Sequence, residues 1–460
     1  MIKEMGKLKI GKNYSKDMLE LALKILTDNR LCDNCLGRQF ALVGFGLTNK
    51  ERGSILKNAL ILELYDKIPD DKDAVNISQK IANMGNILAQ QSLQKKECEI
   101  SSNSTTEKIC ELCDNLFDNL IVYAKPIFSK LENEDYQSFI IGAIIPPEIL
   151  EREDNIRAKY NITKGESIKS EFTRELGKLI MNQTNKEPDF ELPDITIIVD
   201  LFKQKITLQK RSLFIYGRYN KFIRTIPQTR WPCYDCNGKG CVRCGYTGKR
   251  YTESVEELIA EPILEITGGT GSRFHGAGRE DIDALMLGNG RPFVLEIKEP
   301  EKRHIDLRKI EKKVNRKIKK KVKVSNLSFA DKRKVQDIKS LAKKTKKTYK
   351  AKITLDKDLP EESYLKLQNE LKETKIKQRT PKRVLHRRSD LVRVKMVYNV
   401  SIKKLAEKEI EAEIVGEGGL YIKELISGDE GRTNPSFSSI LKSQARCIQL
   451  DVVHLHTEDT

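Results

Sequence analysis

At 460 residues the chain is longer than one hydrophobic core serves, so about three domains are expected, with apolar material enough to fold without disulfide staples. Its 84 Lys and Arg outnumber 66 Asp and Glu, for a net charge of +18 and a pI near 9.2. That excess favours a polyanionic partner, nucleic acid ahead of a membrane surface, because neutralised phosphates release counterions. A lysine-rich composition without such a partner is the plain alternative. No run reaches the ~20 apolar residues of a membrane span and the first residues lack a signal-peptide core, which points to a cytoplasmic protein.

The chain begins with helical periodicity: Met18, Leu19, Leu21, Leu23 and Ile25 recur at helix spacing over 16–29, and further helical stretches follow at 51–65 and 78–95. The polar interval CEISSNSTTEK, 98–108, reads as a surface loop. Eight of the ten cysteines form four C-x-x-C pairs, a metal-ligand spacing suited to a reducing compartment, with Cys98 and Cys447 left as ordinary thiols. Cys32 and Cys35 can share one ion with Cys110 and Cys113, since a second pair closes a zinc tetrahedron even across a long gap. Two unrelated thiol pairs remain the alternative.

From 118 the period changes. FIIGAII (139–145) and ITIIVDL (195–201) read as buried strands, with an amphipathic helix over 166–180 between them, an α/β module. Next, Arg218, Lys221, Arg224 and Arg230 alternate with Tyr216, Tyr219 and Phe222, a pattern that suits phosphate contact and base stacking or an exposed edge strand. CYDCNGKGCVRC, 233–244, sets Cys233, Cys236, Cys241 and Cys244 in two adjoining knuckles, hard to explain without zinc. Each knuckle could pair with its neighbour or with a distant one.

Residues 261–300 concentrate the chemistry. Five glycines fall between Gly268 and Gly278, followed by Arg279, Glu280, Asp281 and Asp283, with PILEI before and RPFVLEI after as β-type apolar runs. Two nucleotide loops fail here: the P-loop lysine is missing, since Ala277 and Gly278 follow Gly276, and the third glycine of a dinucleotide fingerprint is Phe274. Clustered acids in a cationic chain can also be salt-bridge material. Beyond this stretch, 302–323 carries dense Lys and Arg with Leu307, Ile310, Val314 and Ile318 at helical spacing, a candidate RNA-backbone contact. TYKAKI (348–353) reads as a strand, and 378–395 joins a Pro-marked turn to Arg383, His386, Arg387 and Arg388.

FHGAGREDIDALMLGNGRPFVLEI, 274–297, resembles the catalytic turn of the archaeal and eukaryotic pseudouridine synthases that isomerise uridines in the TΨC loop of tRNA. The resemblance implies Asp281 as nucleophile and Arg279 as its positive partner. Tyr349 in TYKAKI matches the tyrosine that stacks on the target base. GEGGLYIKELISGDEGRTNPS (416–436) resembles the third motif, pointing to Tyr421 and Lys423, and Leu441 is the candidate leucine packing under the nucleophile. The chain departs from many relatives in having Gly418, Gly419 and Leu420 for Ala-Gly-Thr, and lysine where arginine is frequent; charge is kept, but not a bidentate grip.

The α/β module is similar to THUMP-type RNA-binding domains. An α+β, multidomain protein is therefore expected. Its parts would be a helical zinc-binding region (1–117), a THUMP-like module (118–230), zinc knuckles (231–250) and a pseudouridine synthase domain with a central mixed or antiparallel sheet (251–460). By the resemblance it needs no cofactor for catalysis and acts on tRNA uridines 54 and 55, while the cysteine spacing points to structural zinc; no membrane or protein partner is expected. Two other classes share some features. A THUMP-associated RNA methyltransferase would want a glycine-rich methyl-donor loop after a strand, and a non-catalytic zinc- and tRNA-binding protein would have no use for the 279–281 turn.

Overall fold

The computed structural model describes residues 14–98 and 108–456, so most of the interval 98–108 lies outside the described residues. The chain divides into two compact units, Met1–Gln209 and Lys210–Thr460.

The first unit begins with helices α1 (Tyr14–Asp28), α2 (Asp33–Arg38), α3 (Asn49–Leu64), α4 (Lys72–Asn83), α5 (Ile87–Lys95) and α6 (Ile121–Leu131). Local chemistry sets their ends. Thr48 and Glu51 form a reciprocal capping box on α3, Asp71 caps α4, and Asn86 caps α5. A four-stranded sheet follows, of order β2 (Glu187–Pro188), β1 (Ser138–Ile144), β3 (Ile195–Asp200) and β4 (Lys205–Lys210). β1 and β3 are parallel, from Phe139 opposite Ile195 to Ile144 opposite Asp200. Parallel neighbours need a crossover, supplied here by α7 (Pro147–Lys159) and α8 (Ile168–Thr184).

One apolar core holds both the N-terminal helices and this α/β layer, running from Ala22 and Ile61 through Phe139, Phe172 and Ile197. The division expected at 117 is therefore not a break in packing. A buried charge network crosses it: Arg38 of α2 donates from Nε to Glu153 of α7 at 2.9 Å and from Nη1 to Glu171 of α8 at 2.8 Å. All three side chains are sealed from water.

The second unit is built on a ten-stranded mixed sheet. Its order is β13 (Thr433–Asn434), β10 (Thr374–Arg379), β11 (Val392–Ala406), β12 (Glu409–Gly416), β9 (Lys346–Leu355), β14 (Ala445–His456), β7 (Leu285–Lys298), β5 (Leu213–Lys221) and β8 (Val322–Ala330), with β6 (Gly271–Gly276) paired to β7. Helices α9 (Val255–Thr267), α10 (Leu307–Lys317) and α12 (Glu361–Leu371) bury Ile259 and Ile263, Ile310 and Val314, and Leu367 and Leu371 against Ile215, Leu295 and Ile353 of the sheet. Alternate residues of β7 serve two layers: Phe293 and Leu295 join that core, while Val294 packs with Val335 and Ile338 of α11 (Lys332–Lys344) in a smaller cluster.

Two sequence readings change. PILEI is not a strand but the end of α9, which Ser254 caps and Gly268 ends at φ +65°. Ile259 and Ile263 bury on one helix face, and a five-residue apolar window does not separate a strand from a buried helix segment. The 213–221 segment, expected to close the RNA-binding module, lies instead inside the second unit's sheet between β7 and β8, so the boundary expected at 230 falls near 209. It is no RNA-facing edge: Arg218, Tyr219 and Lys221 are buried. Arg218 donates to the carbonyls of Asn289 and Gly290. In the basic 302–323 stretch, part of the charge is spent internally, Lys317 pairing with Glu265 at 2.6 Å and Lys321 with Glu253 at 2.6 Å. Among the described residues no helix is long and apolar enough to cross a membrane.

Breaking a buried charge network strands the partners' charges. Arg38→Leu should therefore lower unfolding stability by about 3–5 kcal/mol, read as the first transition in urea; a loss below 1 kcal/mol would show that water reaches Glu153 and Glu171.

Candidate active site

The turn between β6 and β7 is held from beneath by buried polar side chains. Glu280 turns inward, where its carboxylate accepts from Arg291 Nε at 2.9 Å and lies 2.9 and 3.0 Å from the Tyr219 hydroxyl. Arg291 also donates to the Ala277 carbonyl at 2.8 Å. Gln228 donates to the Gly278 carbonyl and the Tyr219 hydroxyl, and Lys221 donates to the carbonyls of Asp281, Ile282 and Ile226. Gly278 turns at φ +82°, where an added Cβ would come within 3.2 Å of both Arg291 Nη1 and Lys347 Nζ.

With Glu280 turned in, Asp281 faces a cavity of about 580 Å³. Its carboxylate is about a third exposed and stands between two cations, Arg383 at 3.3 Å and Lys423 at 3.5 Å. Arg383 is braced by the largely buried Glu424 at 2.7 Å, and Lys423 is shared with the exposed Asp283 at 2.7 Å. Burial opposes the Lys423 ammonium, but the Asp283 and Asp281 carboxylates outweigh it and hold its pKa above the ordinary value.

Of the residues singled out in sequence, Asp281, Arg279, Tyr349, Tyr421 and Lys423 all line this cavity. Tyr349 is buried on β9, opposite Ile414 and Val452, and burial pushes its phenol up to about 12. Tyr421 precedes helix α13 (Ile422–Ser427). Gln378 of β10 clamps its backbone at both N–H and carbonyl, 2.9 Å each, and Arg388 donates to its hydroxyl at 3.3 Å. Arg279 lies with its guanidinium over the ring of Trp231 at 5.3 Å.

Leu441 does not line the cavity. It packs in the core on the short helix α14 (Phe437–Leu441), whereas Leu450 and Val452 of β14 line the cavity. The physical reason is connectivity: α14 ends before the last strand passes beside Tyr349, so the strand supplies the apolar wall. Arg383 carried no signal beyond a basic run after a proline, and Glu280 none beyond membership of an acidic cluster.

The cysteines form two quartets, Cys32, Cys35, Cys110 and Cys113, and Cys233, Cys236, Cys241 and Cys244, each with all sulfurs within 4.8 Å of one another. In the first, Cys32 and Cys113 are 3.7 Å apart; in the second, Cys233–Cys241 and Cys236–Cys244 are both 3.9 Å. A zinc with four sulfurs at about 2.3 Å sets tetrahedral edges near 3.8 Å, and a disulfide would need about 2.05 Å. Both quartets fit a metal. Backbone N–H groups point at the sulfurs, including Cys32 N to Cys110 at 3.3 Å, Gly240 N to Cys236 and Gly248 N to Cys244, both 3.2 Å. The second quartet closes locally, with neighbouring knuckles rather than distant ones.

Residues 214–456 match the family described as Pus10, C-terminal, and residues 123–200 match the archaeal Pus10 THUMP domain. Three curated relatives, each named tRNA pseudouridine synthase Pus10, are similar along nearly the whole chain. That of Methanocaldococcus jannaschii is 44% identical, covering 96% of this chain and 95% of its own. Those of Methanothermobacter marburgensis and Methanothrix thermoacetophila are 41% and 37% identical, covering 94% and 95% of this chain and 97% and 94% of theirs. The fold and the matched domains define an RNA-modifying isomerase with a THUMP domain. The chain belongs to the Pus10 family of tRNA pseudouridine synthases.

Glu280→Gln keeps the side-chain shape but leaves Arg291 as an unpaired buried cation. Amide exchange across 277–284 should then accelerate while that of β9 and β14 stays slow; unchanged protection of the turn would make the pair a bystander.

Proposed function

We propose that this cavity isomerises uridine to pseudouridine at positions 54 and 55 in the TΨC loop of tRNA, with Asp281 as nucleophile. The observation that carries this is the setting of Asp281, a carboxylate between two cations at a cavity walled by Tyr349, Leu450 and Val452. The reaction breaks the N-glycosidic bond, turns the uracil and rejoins it through C5, after which C5 loses a proton and N1 gains one. Nothing is oxidised or reduced and no water is added.

Each residue has a physical task. Arg383 and Lys423 hold the Asp281 carboxylate in position for attack next to the sugar. Tyr349 offers a stacking face to the extruded base, and its phenol stays protonated and able to donate. Extruding a uridine from a folded loop costs a few kcal/mol, which phosphate contacts can repay. Arg279, Arg388 and Lys339 at the cavity and the exposed cations of the 302–323 stretch are the candidates. The Cys quartets would hold structural zinc, ordering the backbone around each knuckle with no step of the reaction passing through the metal.

Asp281→Asn should bind tRNA but form no pseudouridine, whereas Asp283→Asn should keep part of the activity. Product mapped at positions 54 and 55 in a single-turnover assay of Asp281→Asn would defeat the assignment. Tyr349→Phe should bind normally and turn over more slowly. Affinity for tRNA should fall steeply with salt, and a flat dependence would argue against phosphate anchoring. Metal analysis should return two zincs per chain; well under one would remove the structural role, and chelation should unfold rather than merely inhibit.

A further inference from the structure

Lys347 is a buried lysine in the wall of the cavity. It is two residues before Tyr349 on β9, so both side chains leave the same face of the strand, while Thr348 between them turns the other way to His456, 2.8 Å from its ring. Across the ladder from Lys347 stands Gly416 of β12, and its amine reaches the catalytic turn at the place Gly278 leaves open. Among the described residues it makes no ion pair and no hydrogen bond; the nearby Glu280 is committed to Arg291 and Tyr219. A cation held mostly out of water beside another cation is costly, and an amine kept in that place has a use other than holding the fold together.

We propose that Lys347 is the general base that takes the C5 proton once the uracil has rejoined the sugar through carbon. This rests on the pseudouridine-forming reading of the same cavity. In the rejoined intermediate C5 bears the sugar and a hydrogen, and N1 is doubly bonded to C6. The neutral amine takes the hydrogen as a proton; the C5–H electron pair becomes the C5–C6 double bond, the C6–N1 pair moves to N1, and N1 takes up a proton. The lysine ammonium then returns its proton to solvent. No oxidant or other co-reactant enters.

The amine is suited to this. Burial, with Arg291 and Lys395 against it and Glu280 partly offsetting them, pushes Lys347 down to about 7, so a large share of molecules carries a free lone pair at neutral pH. The other charged groups at the cavity are Asp281, Arg279, Lys339, Arg388, Arg383 and Lys423. Tyr349 is the competing base, but with its phenol raised to about 12 it holds its proton.

The test uses the full-length protein and tRNA transcripts made with either ordinary or 5-deuterated uridine. Lys347→Met keeps an unbranched side chain of similar shape without the amine and removes a desolvation cost, so the variant should fold, checked by its urea midpoint, and bind tRNA with unchanged affinity. Single-turnover pseudouridine formation should drop by about 10²–10⁴-fold, with a primary isotope effect at C5 much larger than in the wild type, because proton removal has become the slow step. Lys347→Arg, which cannot give up its charge, should behave the same way. Loss of turnover without a larger isotope effect, loss only through weaker tRNA binding, or undiminished turnover would each overturn the proposal. Failure of the wild-type protein itself to form pseudouridine would instead defeat the reading of the cavity.

Discussion

A carboxylate and a guanidinium closed off from water, Glu280 against Arg291, set the geometry on which the cavity depends. A charge buried this deeply must be matched in place and direction, because the low-dielectric interior penalises any slip more than a solvated surface would. Tyr219 and Gln228 complete the hydrogen bonding of that pair and of the turn carbonyl above it, so the residue after Glu280 has one direction in which to go. Asp281 owes its exposure to its neighbour's burial. The order of the two acids is thus a division of labour, one spent on structure so that the other can face solvent and cations.

The opposite wall is held by different means to the same end. Gln378 pins the backbone of Tyr421 ahead of the short helix, and Glu424 braces Arg383, so the two cations on Asp281 come from a 3-10 turn and a short helix tied to each other and to β10 by hydrogen bonds. Lys423 divides its charge between Asp281 and Asp283, one half-enclosed and the other open. Burial also splits the titrating groups of β9: an amine is pushed toward neutrality and a phenol away from ionisation by the same lack of water.

The sequence made the local patterns legible and the tertiary ones not. Cysteine spacing named both quartets, because a knuckle is a short-range object and thiolates two apart have few other uses. Asp281, Tyr349, Tyr421 and Lys423 were reached by resemblance to a family, and all four line one cavity. Arg383 could not be told from its basic neighbours, since only folding decides which of several arginines meets a carboxylate. Leu441 lies outside the cavity, and sequence alone does not say which element passes beside Tyr349. The 213–221 segment misled because alternating cations and aromatics look like an RNA surface when exposed and like a strand with buried hydrogen-bonding cations when interior, and composition is the same in both. Its carbonyl partners, at Asn289, Gly290 and Ile282, lie 61 to 72 residues away.

Trp231 stands where the second cysteine quartet begins and where Arg279 comes down from the turn between β6 and β7, and Arg250 approaches the same ring at 5.4 Å. It is the one tryptophan of the chain. All indole emission from this protein therefore originates at a single point where the cysteine knuckle meets the turn, with two guanidinium groups against the chromophore. The molecule carries its own optical probe, whose signal couples the ordering of a knuckle to the posture of a cavity-lining arginine with no label introduced.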